Sequence, residues 1–108
     1  MKLWSALALL SFIYAASALA ATNADIDRMT TYAVILGRAA GCGIDASIES
    51  ARVGRWMDRK FPPGSQDQLT YLPIFVQGMT YHAKMQSSGS SPDSCAEIRR
   101  QIRTFPWP

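Results

Sequence analysis

Residues 40–44 read Ala40-Gly41-Cys42-Gly43-Ile44, and the only other cysteine is Cys95, in Ser91-Pro92-Asp93-Ser94-Cys95. How this pair is read decides the fold. Cys42 invites three chemistries: a nucleophile, a metal ligand, or one half of a covalent staple. A nucleophilic thiol needs an adjacent base and an exposed thiolate. A structural zinc site needs four ligands, whereas His82 is the one histidine accompanying the two cysteines, at a spacing that matches no zinc motif. A disulfide needs an oxidising compartment and two cysteines within reach.

The compartment is written at the start of the chain. Residues 1–20 read MKLWSALALLSFIYAASALA: Lys2 as a positive n-region, an apolar run from Leu3 to Ala16, then Ala18-Leu19-Ala20 as a small-x-small exit. This is the pattern of a cleaved secretory signal. A retained membrane anchor is the alternative reading of the same run, and the small-residue exit favours cleavage. No cysteine follows Ala20, so lipid attachment there is not indicated, and no later run reaches the eighteen apolar residues expected of a membrane-spanning helix. The expected location is therefore the periplasm or the exterior, with no transmembrane segment after cleavage.

Cleavage after Ala20 leaves 88 residues carrying ten Lys or Arg against eight Asp or Glu, a net charge of +2. One small domain, residues 21–108, is expected, and a domain of that size has a marginal core. A Cys42–Cys95 disulfide closes a loop of 54 residues counting both ends, worth about 4 kcal/mol on the chain-entropy account. An intermolecular or redox disulfide is the lesser alternative.

Periodicity organises the rest into four helices. Thr22 with Asp25 opens a helix over about 24–39, with Ile26, Met29, Ala33, Leu36 and Ala40 on one stripe. Its small residues Gly37, Ala39 and Ala40 suit close approach of a neighbour, and Gly41 reads as a C′ residue. Asp45 or Ser47 caps a second helix, about 46–60, burying Val53, Met57 and Phe61 with Trp56 beside them. Phe61-Pro62-Pro63-Gly64 breaks it. Ser65 with Gln68 opens the third and longest helix, about 66–86, whose expected core face is Leu69, Leu72, Val76, Met79 and Ala83, extended by Tyr71, Phe75 and His82. Pro73 interrupts it and predicts a kink. Ser91 with Pro92 at N1 reads as the start of a fourth helix buried through Cys95, Ile98, Ile102 and Phe105 and stopped by Pro106. No stretch reads as strand. The fold class is all-α: a small four-helix, bundle-like domain, its third helix kinked near Pro73, with one long-range disulfide.

Catalytic signatures are sparse. There is no H-E-x-x-H pair, phosphate loop, dinucleotide-binding glycine fingerprint or G-x-S-x-G elbow. Residues 21–108 contain two glutamates, Glu49 and Glu97, both at first-turn positions where a carboxylate already has a structural role. His82 is a general-base candidate by free pKa alone. No cofactor and no metal are called for.

The basic and aromatic side chains give a contact hypothesis. Arg52, Arg55 and Arg59 recur at i, i+3 and i+7, and Arg99, Arg100 and Arg103 lie on the fourth helix. With Trp56 and Trp107 they make an expected interaction patch for an envelope protein or another anionic envelope component. An ordinary solvated face is the plainer reading. Nucleic acid is not expected, because no aromatic residues interleave the arginines. In its size, export and cysteine number the plan is similar to that of small periplasmic acid-stress chaperones, without a residue motif or site to carry over. The leading expectation is an exported accessory protein that acts by contact without catalysis. The alternatives are a stress chaperone whose third helix opens an apolar surface, and a small envelope enzyme using His82 or Glu49 and Glu97.

Overall fold

The computed structural model describes residues 21–108, so the signal-segment reading of residues 1–20 lies outside the described residues. Four helices follow in order: α1 (Asn23–Gly41), α2 (Ser47–Lys60), α3 (Gln66–Ser87) and α4 (Cys95–Thr104). α1 is the central element. It packs against each of the other three, most extensively α3, and no other pair of helices packs to a comparable extent.

The capping box at the start of α1 forms as its residue types require. Thr22 Oγ1 accepts from the Asp25 backbone N–H at 3.1 Å, and Asp25 Oδ2 accepts from the Thr22 N–H at 3.3 Å. Lys60, in the last turn of α2, reaches Asp25 Oδ1 at 3.6 Å. The far end of α1 differs from expectation in the roles of its two glycines. Gly41 is the last residue of the helix and Cys42 its C-cap, while Gly43 takes the positive φ of 68°. Gly41 is needed for space instead. A Cβ there would overlap the Ala83 carbonyl of α3, and one on Gly37 would come within 2.5 Å of the Met79 carbonyl oxygen. Ala33 faces Gly78 on the same seam, so α1 and α3 meet through small residues one helical turn apart.

Cys42 and Cys95 form the long-range disulfide, with their Cα atoms 5.6 Å apart. It ties the reversal after α1 to the first turn of α4. That turn begins three residues later than the Ser91-Pro92 signal implies. Ser94 is the N-cap, its hydroxyl accepting from the Glu97 N–H at 3.2 Å. Long-range contacts outweigh the local proline signal. Asp93 Oδ2 binds Arg38 of α1 at 3.0 Å and Gln101 of α4 at 3.3 Å, and Gln86 of α3 donates to the Asp93 carbonyl at 2.9 Å. Residues 91–93 are thus pinned as a bent connector across three helices.

α2 starts without a side-chain cap at Ala46; Asp45 Oδ1 instead accepts from both the Ser47 backbone N–H and its hydroxyl, at 3.0 and 2.7 Å. Ser65 caps α3 by accepting from the Gln68 N–H at 3.1 Å. Pro73 lies inside α3, where the missing N–H leaves the Leu69 carbonyl without its helical donor. The interruption is carried within one continuous helix.

The core joins Met29, Tyr32, Ile35, Leu36 and Ala39 of α1 to Val53, Trp56 and Met57 of α2, Phe61, and Ile98 and Ile102 of α4. Phe75 is the one fully buried hydrophobic side chain that α3 supplies. The face expected to fill the core through Leu69, Leu72 and Val76 does not do so: these side chains are 66, 41 and 49 % exposed. The physical reason is that α3 packs most extensively on α1, through the small-residue seam. Phe61 turns inward between Trp56 and Tyr71, with ring centroids 6.0 and 5.5 Å away. α3 spends its small-residue seam on α1 and leaves the apolar stripe beside that seam open. Among the described residues, no helix is long and apolar enough to cross a membrane.

Candidate functional site

The gap that this arrangement leaves between α2 and α3 is an apolar groove of about 380 Å3. Leu36 of α1 contributes from below; Met57 and Phe61 line one side, and Leu72, Phe75, Val76 and Met79 the other. Ser50, Asp58 and Gln68 are its polar lining, with Asp58 its one charged group. An absent side chain at Gly54 opens the α2 wall, since a Cβ there would meet nothing within 4 Å. A groove of this size, mostly apolar with a few polar groups, is the usual form of a site that seats an apolar group. Among its lining residues Asp58 is the one titratable side chain.

The residues read from sequence as one interaction patch fall into distinct environments. Trp56 is buried, and Trp107 packs against the core while donating its indole N–H to the Ile102 carbonyl at 2.9 Å. Both rings surround Tyr32, which is 1 % exposed: Trp56 and Phe105 meet it edge-on at 5.1 and 6.0 Å, and Trp107 stacks at 5.7 Å. Arg52 holds the folded-back tail, donating through Nε to the Pro108 carbonyl at 2.7 Å and through a terminal nitrogen to the Trp107 carbonyl at 3.1 Å. Arg100 pairs with Glu97 one turn back. Arg55, Arg59, Arg99 and Arg103 remain exposed.

Sequence reading missed Arg28 and Tyr32. Arg28 donates to the Tyr32 hydroxyl at 2.7 Å, and its guanidinium lies 5.2 Å from the Trp56 ring centroid. The signal was present: Met29, Tyr32, Leu36 and Ala39 recur at helical spacing, with Arg28 one turn before the tyrosine.

His82 sits half-buried on α3, edge-on to Tyr81 at 5.1 Å. It lines a smaller pocket with Arg38, Met85, Ser90, Ser91 and Pro92, and neither Glu49 nor Glu97 lines that pocket. Burial and then the nearby Arg38 charge both push its pKa below the ordinary histidine value. The neutral imidazole is thus the form the fold favours. A depressed histidine pKa contributes stability that is present above the unfolded value of about 6.5 and is lost as pH falls through the folded value. Melting temperature should accordingly fall between pH 7.5 and pH 5, and His82→Gln should reduce that fall; an unchanged pH slope in the variant would assign it to other groups. Asp25 has the same pH sign for the opposite chemical reason, its charged form being the one the fold favours. Burial, the largest single influence, raises its pKa, but the Thr22 hydrogen bonds and Lys60 together more than offset this and hold it below the ordinary aspartate value.

Cys42 and Cys95 are joined to each other and are therefore neither nucleophile nor ligand. Among the described residues, no group of three or more His, Cys, Asp or Glu side chains is placed to hold a metal ion. Comparison with protein-family models, with curated proteins and with solved structures gives no match for this chain.

Proposed function

We propose that this is an exported accessory protein that works by contact, seating the apolar face of one helical segment of an envelope partner in the α2–α3 groove. The observation that carries this reading is the unfilled apolar face of α3. A chain with a closed aromatic core elsewhere leaves Leu69, Leu72 and Val76 in solvent at a groove floored by core residues. Contiguous apolar surface flanking a concavity marks a binding site more often than scattered single residues do. Asp58 at the groove favours a partner with a lysine or arginine beside its apolar knobs. Arg55, Arg59, Arg99 and Arg103 would act at longer range, speeding encounter with a partner that is anionic elsewhere. The export signal and the disulfide support an oxidising compartment outside the cytoplasm.

The test is site-specific crosslinking in producing cells. A photoreactive residue at Leu72 should give one dominant adduct, and the same residue at Arg103 should not. Adding Val76→Glu should abolish the adduct and weaken the isolated complex at least about tenfold, because an unpaired carboxylate would be buried in an apolar contact. Its effect on melting should be small, since Val76 is half-exposed in the free protein. Equal labelling from Leu72 and Arg103 would defeat the groove reading. A ladder of unrelated adducts from Leu72 would replace the single-partner reading with the stress-chaperone one.

A further inference from the structure

The backbone nitrogen of Ala21 lies 2.8 Å from Asp67 Oδ2, in a partly buried contact between residues 46 apart in sequence. Ala21 is also the residue immediately after the Ala18-Leu19-Ala20 exit, and its side chain packs against the core. We propose that the Ala20–Ala21 bond is the processing site and that the α-ammonium released at Ala21 is held by Asp67 as an ion pair, so that the fold locks its own processed end. This rests on the export reading above.

The chemistry is a hydrolysis by an envelope signal-processing peptidase. The C–N bond between Ala20 and Ala21 breaks, water supplies the hydroxyl that leaves Ala20 as a carboxylate, and the freed nitrogen takes up a proton to become an ammonium. The nitrogen need not move. It already donates to Asp67 as an amide, and processing changes that bond from neutral-to-charged into charged-to-charged, the stronger kind.

The surroundings argue for a dedicated counter-charge. An ammonium at Ala21 stands just ahead of the α1 N-terminus, where the helix dipole disfavours positive charge. Asp67, in the first turn of α3, is placed to offset this. Asp25 of α1 and Lys60 of α2 also lie at this end, and those two pair with each other. Among the described residues, Asp67 takes part in no side-chain ion pair. Processing would therefore complete an alternating set of four charges where the ends of three helices converge.

The pH dependence has a definite sign. An α-amino group titrates near 7.7–8.0 when free, and pairing with a carboxylate raises its folded pKa. The added stability is fully present below about pH 7.7 and is lost as pH rises through the higher folded value.

The experiment uses the exported protein. Intact mass and N-terminal sequencing should give residues 21–108 beginning at Ala21. Melting temperatures are then compared for wild type and Asp67→Asn, each with a free α-amine and with that amine selectively acetylated, at pH 6.5 and pH 10. Asp67→Asn should lower the melting temperature by several degrees with the free amine at pH 6.5. The loss should shrink by more than half after acetylation and again at pH 10. A different N-terminus would overturn the processing site. The expected N-terminus, with equal Asp67→Asn effects in free and acetylated protein, would overturn the ion pair and leave Asp67 as a helix-dipole residue only.

Discussion

Replacing both Cys42 and Cys95 with serine should destabilise the domain of residues 21–108 by about 4 kcal/mol. The loop between them contains all of α2 and α3, so breaking the bond releases most of the chain in the unfolded state. It also removes the anchor of the weakest element. α4 has ten residues and packs chiefly on α1, which gives it little independent stability. Without the disulfide its first turn would be held by the packing of Ile98 and by the Ser94, Asp93 and Gln86 hydrogen bonds. Those bonds are partly exposed and weak. Since a domain of this size has about 5–15 kcal/mol in total, a loss of 4 is a large fraction of its stability. Urea unfolding of the double serine variant against wild type measures it. Alkylation of unreduced wild type should find no free thiol, and an undiminished midpoint in the variant would show that packing alone holds α4 in place.

The disulfide was legible because it depends on few features of the sequence: two cysteines, a leader-like first twenty residues and a marginal length. Helix positions were legible for a similar reason. Thr22 with Asp25 and Ser65 with Gln68 are local chemical arrangements, and both form at the expected places. The start of α4 was misplaced because Asp93 is committed to Arg38, 55 residues away, and no local pattern reveals such a tie. The exposed face of α3 was illegible for a deeper reason. Periodicity shows that Leu69, Leu72 and Val76 share a stripe, but it does not say whether anything covers that stripe. Covering depends on which neighbour α3 packs against, and its small-residue seam commits it to α1. The arginine stripe met the same limit. Nothing local to Arg52 indicates that the Phe105-Pro106-Trp107-Pro108 tail folds back onto it.

Tyr32→Ala should cost about 3–5 kcal/mol, the range for removing a large buried aromatic ring. The estimate belongs at the upper end of that range because of what the ring joins. Tyr32 projects from α1 and touches Trp56 of α2 together with Phe105 and Trp107 of the tail. It is thus an aromatic contact common to α1, α2 and the tail, which Arg52 also ties to α2. Removing it leaves a cavity that three rigid rings cannot close by small rotations, since each has its own fixed neighbours: Phe61 beside Trp56, and the Ile102 carbonyl beneath Trp107. Tyr32→Phe separates ring from hydroxyl. It keeps the packing and loses only the Arg28 hydrogen bond, which is partly buried, so its cost should be near 1 kcal/mol. The pair of variants distinguishes a packing role from an Arg28-positioning role. Thermal melts report the energies, and tryptophan fluorescence reports the place, because Trp56 and Trp107 flank the substituted ring. A red-shifted emission in Tyr32→Ala with an unshifted one in Tyr32→Phe is the expected result. Equal destabilisation by both would mean that the hydroxyl and its hydrogen bond from Arg28 matter more than the ring.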